Sequence, residues 1–171
     1  FVADASHELR TPLSSIRGYT ELLAATEHFS PDGQRSVDRV LKPMGASPRD
    51  FLERSSDKTI DKMLSGFRHR FTTGPELAGM LVGLKKILRE FGSLKACFTA
   101  CYHEKDETTL PALSAFVKKF PMPPSYLLPD PARGSACKRL NLYIRWMVRK
   151  DAIDPGGWTD IPAAKLIIPL D

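Results

Sequence analysis

Along most of the chain apolar residues recur three and four positions apart, the period of a helix buried on one side. Leu9, Leu13, Ile16, Thr20 and Leu23 form such a seam, so residues 1–25 are expected to be one long helix with coiled-coil-like spacing. Pro12 interrupts it. A proline there removes a backbone donor and frees the carbonyl of Glu8, which predicts a kink just after His7. Ser30, Pro31, Asp32 and Gly33 are turn chemistry. Shorter helices follow: Gln34 to Met44 closed by Gly45, Pro48 to Arg54 capped by Ser47, and Asp57 to Gly66. The longest opens at Pro75 and runs to Phe91, with Leu77, Leu81, Leu84 and Leu88 on its broad apolar face. Ser93 to Tyr102 and Thr108 to Phe120 are further helices. Pro121 to Gly134 holds five of the 14 prolines and is expected to be a loop. Ser135 to Val148 is the last long helix, with Leu140, Tyr143, Ile144 and Met147 toward the core and Lys138, Asn141, Arg145 and Arg149 opposite. Asp154 to Gly157 reads as a turn, Trp158 as an aromatic anchor and Pro162 as the start of a short helix. No strand of useful length is expected before residue 166. The fold class is therefore all-α: a multi-helix globular domain preceded by a long N-terminal helix.

Composition sharpens one part of that picture. The 171 residues are 42% hydrophobic and 26% charged, which excludes a disordered tail or a fibre. Lys and Arg number 25 against 20 Asp and Glu, for a net charge of +5. Arg133, Lys138, Arg139, Arg145, Arg149 and Lys150 lie in a stretch that contains no acid, so one segment carries the whole excess. A local basic stripe suits a phosphate partner, and a solvated helix face explains it equally well. No run approaches the roughly 18 apolar residues of a membrane-spanning helix. With three cysteines and no scaffold spacing, a soluble, reduced, cytoplasmic setting is expected. Phe at position 1 and an apolar run ending the chain suggest a piece of something longer.

The string Ser6-His7-Glu8-Leu9-Arg10-Thr11-Pro12-Leu13, within a stretch from Phe1 to Tyr19, is specific. An exposed histidine beside a carboxylate can act as a nucleophile whose proton its neighbour accepts. The string resembles the H-box of the dimerisation and phosphoacceptor domain of sensor histidine kinases. The resemblance implies that His7 takes phosphate from ATP, Glu8 acts as general base and Thr11 positions water for the reverse reaction. It also implies a homodimer through the N-terminal helix. The sequence has no Asn-rich or Gly-rich nucleotide box, so an ATP-binding kinase domain is absent from it.

A second string runs from Gly134-Ser135-Ala136-Cys137-Lys138-Arg139 through Arg149. With Ile167-Ile168-Pro169-Leu170-Asp171 and Gly66-Phe67-Arg68-His69-Arg70-Phe71, it resembles an uncharacterised bacterial family similar to a distant branch of the helix-hairpin-helix DNA glycosylases. That likeness implies a DNA glycosylase or lyase acting on damaged bases, with Lys138 as nucleophile and Asp171 assisting it. DNA is then the partner, gripped by Arg139, Arg145, Arg149, Arg68 and Arg70. A lysine at a helix start among other cations should have its ammonium form disfavoured, which makes it a better nucleophile. The expected organisation is a histidine-kinase-like phosphoacceptor helix over 1–27 and a C-terminally truncated glycosylase-like helical domain over 33–171. The first helix is either an appended segment or a fusion remnant. Cys97, Cys101 and His103 lie close together without a fourth ligand, so core cysteines, no metal and no cofactor are expected. The repair reading requires Lys138 and Asp171 to converge across a cleft; the signalling reading requires a second helix antiparallel to residues 1–25.

Overall fold

The computed structural model describes residues 35, 38–69, 71–122, 125–152, 154 and 156–168. The expected helix over 1–25, with His7, Glu8 and Thr11, lies outside the described residues, as do Arg70 and Asp171. What is described is all-α apart from one minimal hairpin. Residues 38–41 are helical and tighten into a 3-10 turn at Lys42–Met44, stopped by Gly45 at φ 68°. Helix α1 spans Pro48–Arg54, α2 Asp57–Met63 and α3 Gly74–Phe91. Helices α4 (Leu94–Cys101), α5 (Leu110–Lys118) and α6 (Lys138–Val148) follow, with 3-10 turns at Pro131–Arg133 and Ala163–Lys165. The chain divides into two compact units at a boundary within α3, after Lys85.

Local capping chemistry sets several of these starts. Ser47 Oγ accepts from Asp50 N at 3.2 Å, with Pro48 supplying the first helical residue of α1. Ser56 Oγ accepts from Thr59 N at 3.1 Å and Ser93 Oγ from Ala96 N at 3.0 Å, opening α2 and α4. Each satisfies an amide that the first helical turn leaves without a partner.

In the N-terminal unit the buried set is Met44, Leu52, Ile60, Leu64, Phe67, Ala78 and Leu81. Lys85 is buried with them. Its ammonium donates to Ser55 O and to Asp57 Oδ1, both at 2.7 Å, fastening α3 to the turn between α1 and α2. Where no strand was expected, Arg68–His69 (β1) pairs antiparallel with Thr72–Thr73 (β2), Arg68 opposite Thr73 and His69 opposite Thr72. The reason is local. Thr73 donates from both N and Oγ1 to Glu76 Oε2, at 2.9 and 2.7 Å, and Gly74 N donates to Phe67 O at 2.8 Å. That close return needs glycine, because a Cβ at position 74 would sit 2.1 Å from Leu64 O. Phe71, at the tip, is 86% exposed.

The C-terminal unit is organised by aromatic side chains. Phe98 of α4 is fully buried, and its ring lies 5.5 Å from Phe116 of α5 and 5.4 Å from Trp158. Phe116 continues to Phe120 at 5.5 Å, and Trp158 to Tyr143 of α6 at 5.8 Å. Trp158 is thus the anchor expected from the sequence. Cys97, Cys101 and Cys137 are buried free thiols. Burial and the neighbouring Cys101 push the Cys97 thiol up to about 12. Among the described residues no helix is long and apolar enough to cross a membrane.

Because Phe98 touches both α5 and the segment after α6, Phe98→Ala is expected to cost about 3–5 kcal/mol. Urea denaturation of the variant should show a lowered midpoint; a loss below about 1 kcal/mol would contradict this core assignment.

Candidate functional site

Helix α6 carries the basic residues that the sequence singles out. It begins at Lys138 rather than Ser135, and the cause is one residue. Cys137 adopts φ 48° and ψ 39°, a left-handed conformation that no right-handed helix can include. Three contacts hold it there: Cys137 N donates to Ser135 Oγ at 3.2 Å, Cys137 Sγ to Pro129 O at 3.2 Å, and Cys137 O accepts from Asn141 N at 2.9 Å. Lys138 is therefore the first helical residue, and both Lys138 and Arg139 are exposed.

The opposite face differs from expectation at one position. Asn141 is 2% exposed, on the inner side with Ile144, Met147 and Val148. Its Nδ2 donates to Ala136 O at 3.0 Å, so the loop that Cys137 turns brings a carbonyl down to meet it. A buried amide with a backbone partner is cheap to keep; without one it would cost about 1–3 kcal/mol. The sequence pattern places Asn141 outside because it grades side chains by polarity alone.

Arg145 and Arg149 face Asp154. Arg145 Nε lies 3.0 Å from Asp154 Oδ2, and Arg149 Nε lies 3.5 Å from the same oxygen. Arg149 Nη2 also reaches Asp151 Oδ2 at 2.8 Å. The Asp154 side chain is fully withdrawn from water, whereas the arginines are 35% and 42% exposed. The two acids lie immediately beyond the acid-free stretch that made the helix look uniformly basic. Asp151 Oδ1 accepts from Asp154 N at 2.8 Å, tightening the turn. The chain then runs back along α6: Gly156 N donates to Trp146 O at 2.9 Å and Trp158 N to Met147 O at 2.8 Å. These bonds satisfy carbonyls at the helix end that have no partner within it. Gly156 fits this return because a Cβ there would lie 2.7 Å from Lys150 Cβ and 3.0 Å from Arg149 O.

The structure thus brings Arg145 and Arg149 together on an internal carboxylate and leaves Lys138 and Arg139 at the start of the same helix. Arg68 is exposed on β1 in the other unit. The pairing of Lys138 with Asp171, and the place of Arg70, fall outside the described residues. So do His7, Glu8 and Thr11, and with them the expected packing of a second helix on residues 1–25. Among the described residues no group of three or more His, Cys, Asp or Glu side chains is placed to hold a metal ion.

The sequence of the chain matches two families. Residues 33–171 match the family described as Protein of unknown function (DUF2400), and the chain belongs to that family. Residues 1–42 match the His Kinase A (phospho-acceptor) domain. The chain is also similar to a curated protein of Mycobacterium tuberculosis (strain ATCC 25618 / H37Rv), the probable sensor histidine kinase TcrY. It is 91% identical to that protein over 22 residues, which are 13% of this chain and 5% of the relative. No solved structure matches the chain. The histidine-kinase likeness of the N-terminal segment stands on these matches, and no match supports a glycosylase.

Asp154→Asn keeps the shape of the side chain and removes the charge that both arginines meet. Since the arginines are partly solvated, the expected loss is about 1–3 kcal/mol, read from the urea midpoint. A variant as stable as the parent would show that the clamp contributes nothing.

Proposed function

We propose that this chain acts in phosphorelay signalling through a phosphoacceptor segment in residues 1–42, joined to a helical domain of the DUF2400 family. What carries the reading is the match of residues 1–42 to the His Kinase A (phospho-acceptor) domain. The 22 residues shared with a probable sensor histidine kinase at 91% identity add to it. The chemistry needs few groups. A neutral imidazole nitrogen of His7 attacks the γ-phosphorus of ATP, a phosphorus–nitrogen bond forms, and the bond to the ADP oxygen breaks. The proton released from the imidazole passes to the Glu8 carboxylate, one residue along. By the same likeness, the role of Thr11 is to order a water for hydrolysis of the phosphoramidate. The apolar seam from Leu9 to Leu23 suits pairing with a second copy of the same helix, so the segment is assigned as a homodimer.

Base excision by Lys138 and Asp171 has no support in the comparisons. Two of the five cations assigned to DNA, Arg145 and Arg149, are also committed to acids of the same unit. The phosphoacceptor reading is the stronger one.

The test supplies the donor in trans: the ATP-binding domain of a sensor histidine kinase with ATP labelled at the γ-phosphate. The expected product is an acid-labile, alkali-stable phosphoprotein. His7→Gln should reduce labelling to background, and Glu8→Gln should slow it by about a hundredfold, the low end of general base contributions. Acid-stable label, or label undiminished in His7→Gln, would contradict the proposal.

A further inference from the structure

A cleft of about 590 Å³ opens in the C-terminal unit between α5 and the loop that leads to α6. Arg145, Arg149, Asp151 and Asp154 are not among the residues that line it. Its volume lies in the range of about 300–1,000 Å³ that small-molecule sites occupy. Val117, Phe120, Met122 and Leu128 give it an apolar wall, and Phe120 is held in place by its edge contact with Phe116. Such a wall takes up the body of an organic molecule and offers no orientation of its own.

The polar groups on the rim supply orientation. Asp130 is already committed. Its Oδ1 accepts from Ser114 Oγ at 2.6 Å and from Ala132 N at 2.9 Å, and the Ser114 hydroxyl holds its carboxyl below the usual carboxylate range. Its other oxygen is 3.8 Å from Lys118 Nζ. Asp130 therefore stays ionised and fixes both the 3-10 turn at Pro131–Arg133 and the Lys118 ammonium. Arg133, the last residue of that turn, also lines the cleft, is exposed, and has no ion pair within 4.0 Å among the described residues. Two cations against one spent carboxylate leave the rim with an excess positive charge. The rigid turn presents the planar Arg133 fork, whose shape suits a carboxylate, sulfonate or phosphate.

We infer that the cleft between α5 and the 125–135 loop binds a small amphipathic anion, with an apolar or aromatic body against Val117, Phe120, Met122 and Leu128 and its acidic group on Arg133. This assignment is independent of the phosphoacceptor role of residues 1–42. It makes the helical domain a ligand-binding module.

The probe is anilinonaphthalene sulfonate, which combines an aromatic body with one acidic group and fluoresces when taken out of water. It is titrated into the full chain well below the unfolding midpoint. Saturable binding of one probe per chain is expected. Arg133→Gln, at an exposed position, should weaken it at least about tenfold at an unchanged melting midpoint. Val117→Phe, which fills the cleft, should abolish it at an unchanged melting midpoint. Lys105→Gln, an exposed cation outside the lining, should leave it unaltered. The uncharged phenylnaphthylamine should bind at least about tenfold more weakly than the sulfonate. Absence of saturable binding, equal affinity for the uncharged analogue, or undiminished binding by Arg133→Gln would overturn the assignment.

Discussion

The C-terminal unit depends on one carboxylate that water cannot reach. Asp154 must meet its charge inside the protein, and it does so by drawing Arg145 and Arg149 from one face of α6 onto a single oxygen. An unpaired carboxylate in that position would be costly, so the acid needs the arginines even though they remain partly solvated. The consequences spread from there. The turn carrying Asp154 sends the chain back along α6, where Gly156 and Trp158 occupy the last free carbonyls. That return puts the Trp158 ring against Phe98, and Phe98 against Phe116, so three helices and the C-terminal segment share one aromatic centre. The clamp sets where the indole arrives.

The same clamp changes what the positive charge of the chain means. A stripe of cations on a helix suits phosphate only if the charge faces outward without a partner. Here two of its members neutralise an internal acid. The proposed phosphorelay role draws instead on the first 42 residues, which match a phospho-acceptor domain. The matches to the two families overlap over residues 33–42.

Features encoded by neighbours in sequence were legible. Ser47 before Pro48 announces its helix because a cap and its amide lie within three residues. The anchor at Trp158 was equally readable. Features that need a distant partner were not. Nothing near Lys85 in the chain shows that its ammonium will meet Ser55 and Asp57, and a lysine within an apolar stripe reads as its edge. Asn141 turns inward because a loop residue five positions earlier offers a carbonyl. The hairpin at Arg68–Thr73 is two residues deep on each side, too short for any alternation to register, and is fixed by Glu76. Asp154 was visible only as turn chemistry. Its acid–arginine pairing depends on how the chain comes back along α6.

The central claim is that Arg145 and Arg149 of α6 are committed to the buried Asp154 and do not serve as phosphate contacts. The most direct measurement is the salt dependence of binding to duplex DNA, compared between the parent and an Arg145→Gln, Arg149→Gln double variant that is still folded. Each phosphate contact contributes about 0.9 to the slope of log affinity against log salt. The account predicts equal slopes for the two proteins, together with a lower unfolding midpoint for the variant. A slope shallower by about two at unchanged stability would place phosphates on α6 and contradict it.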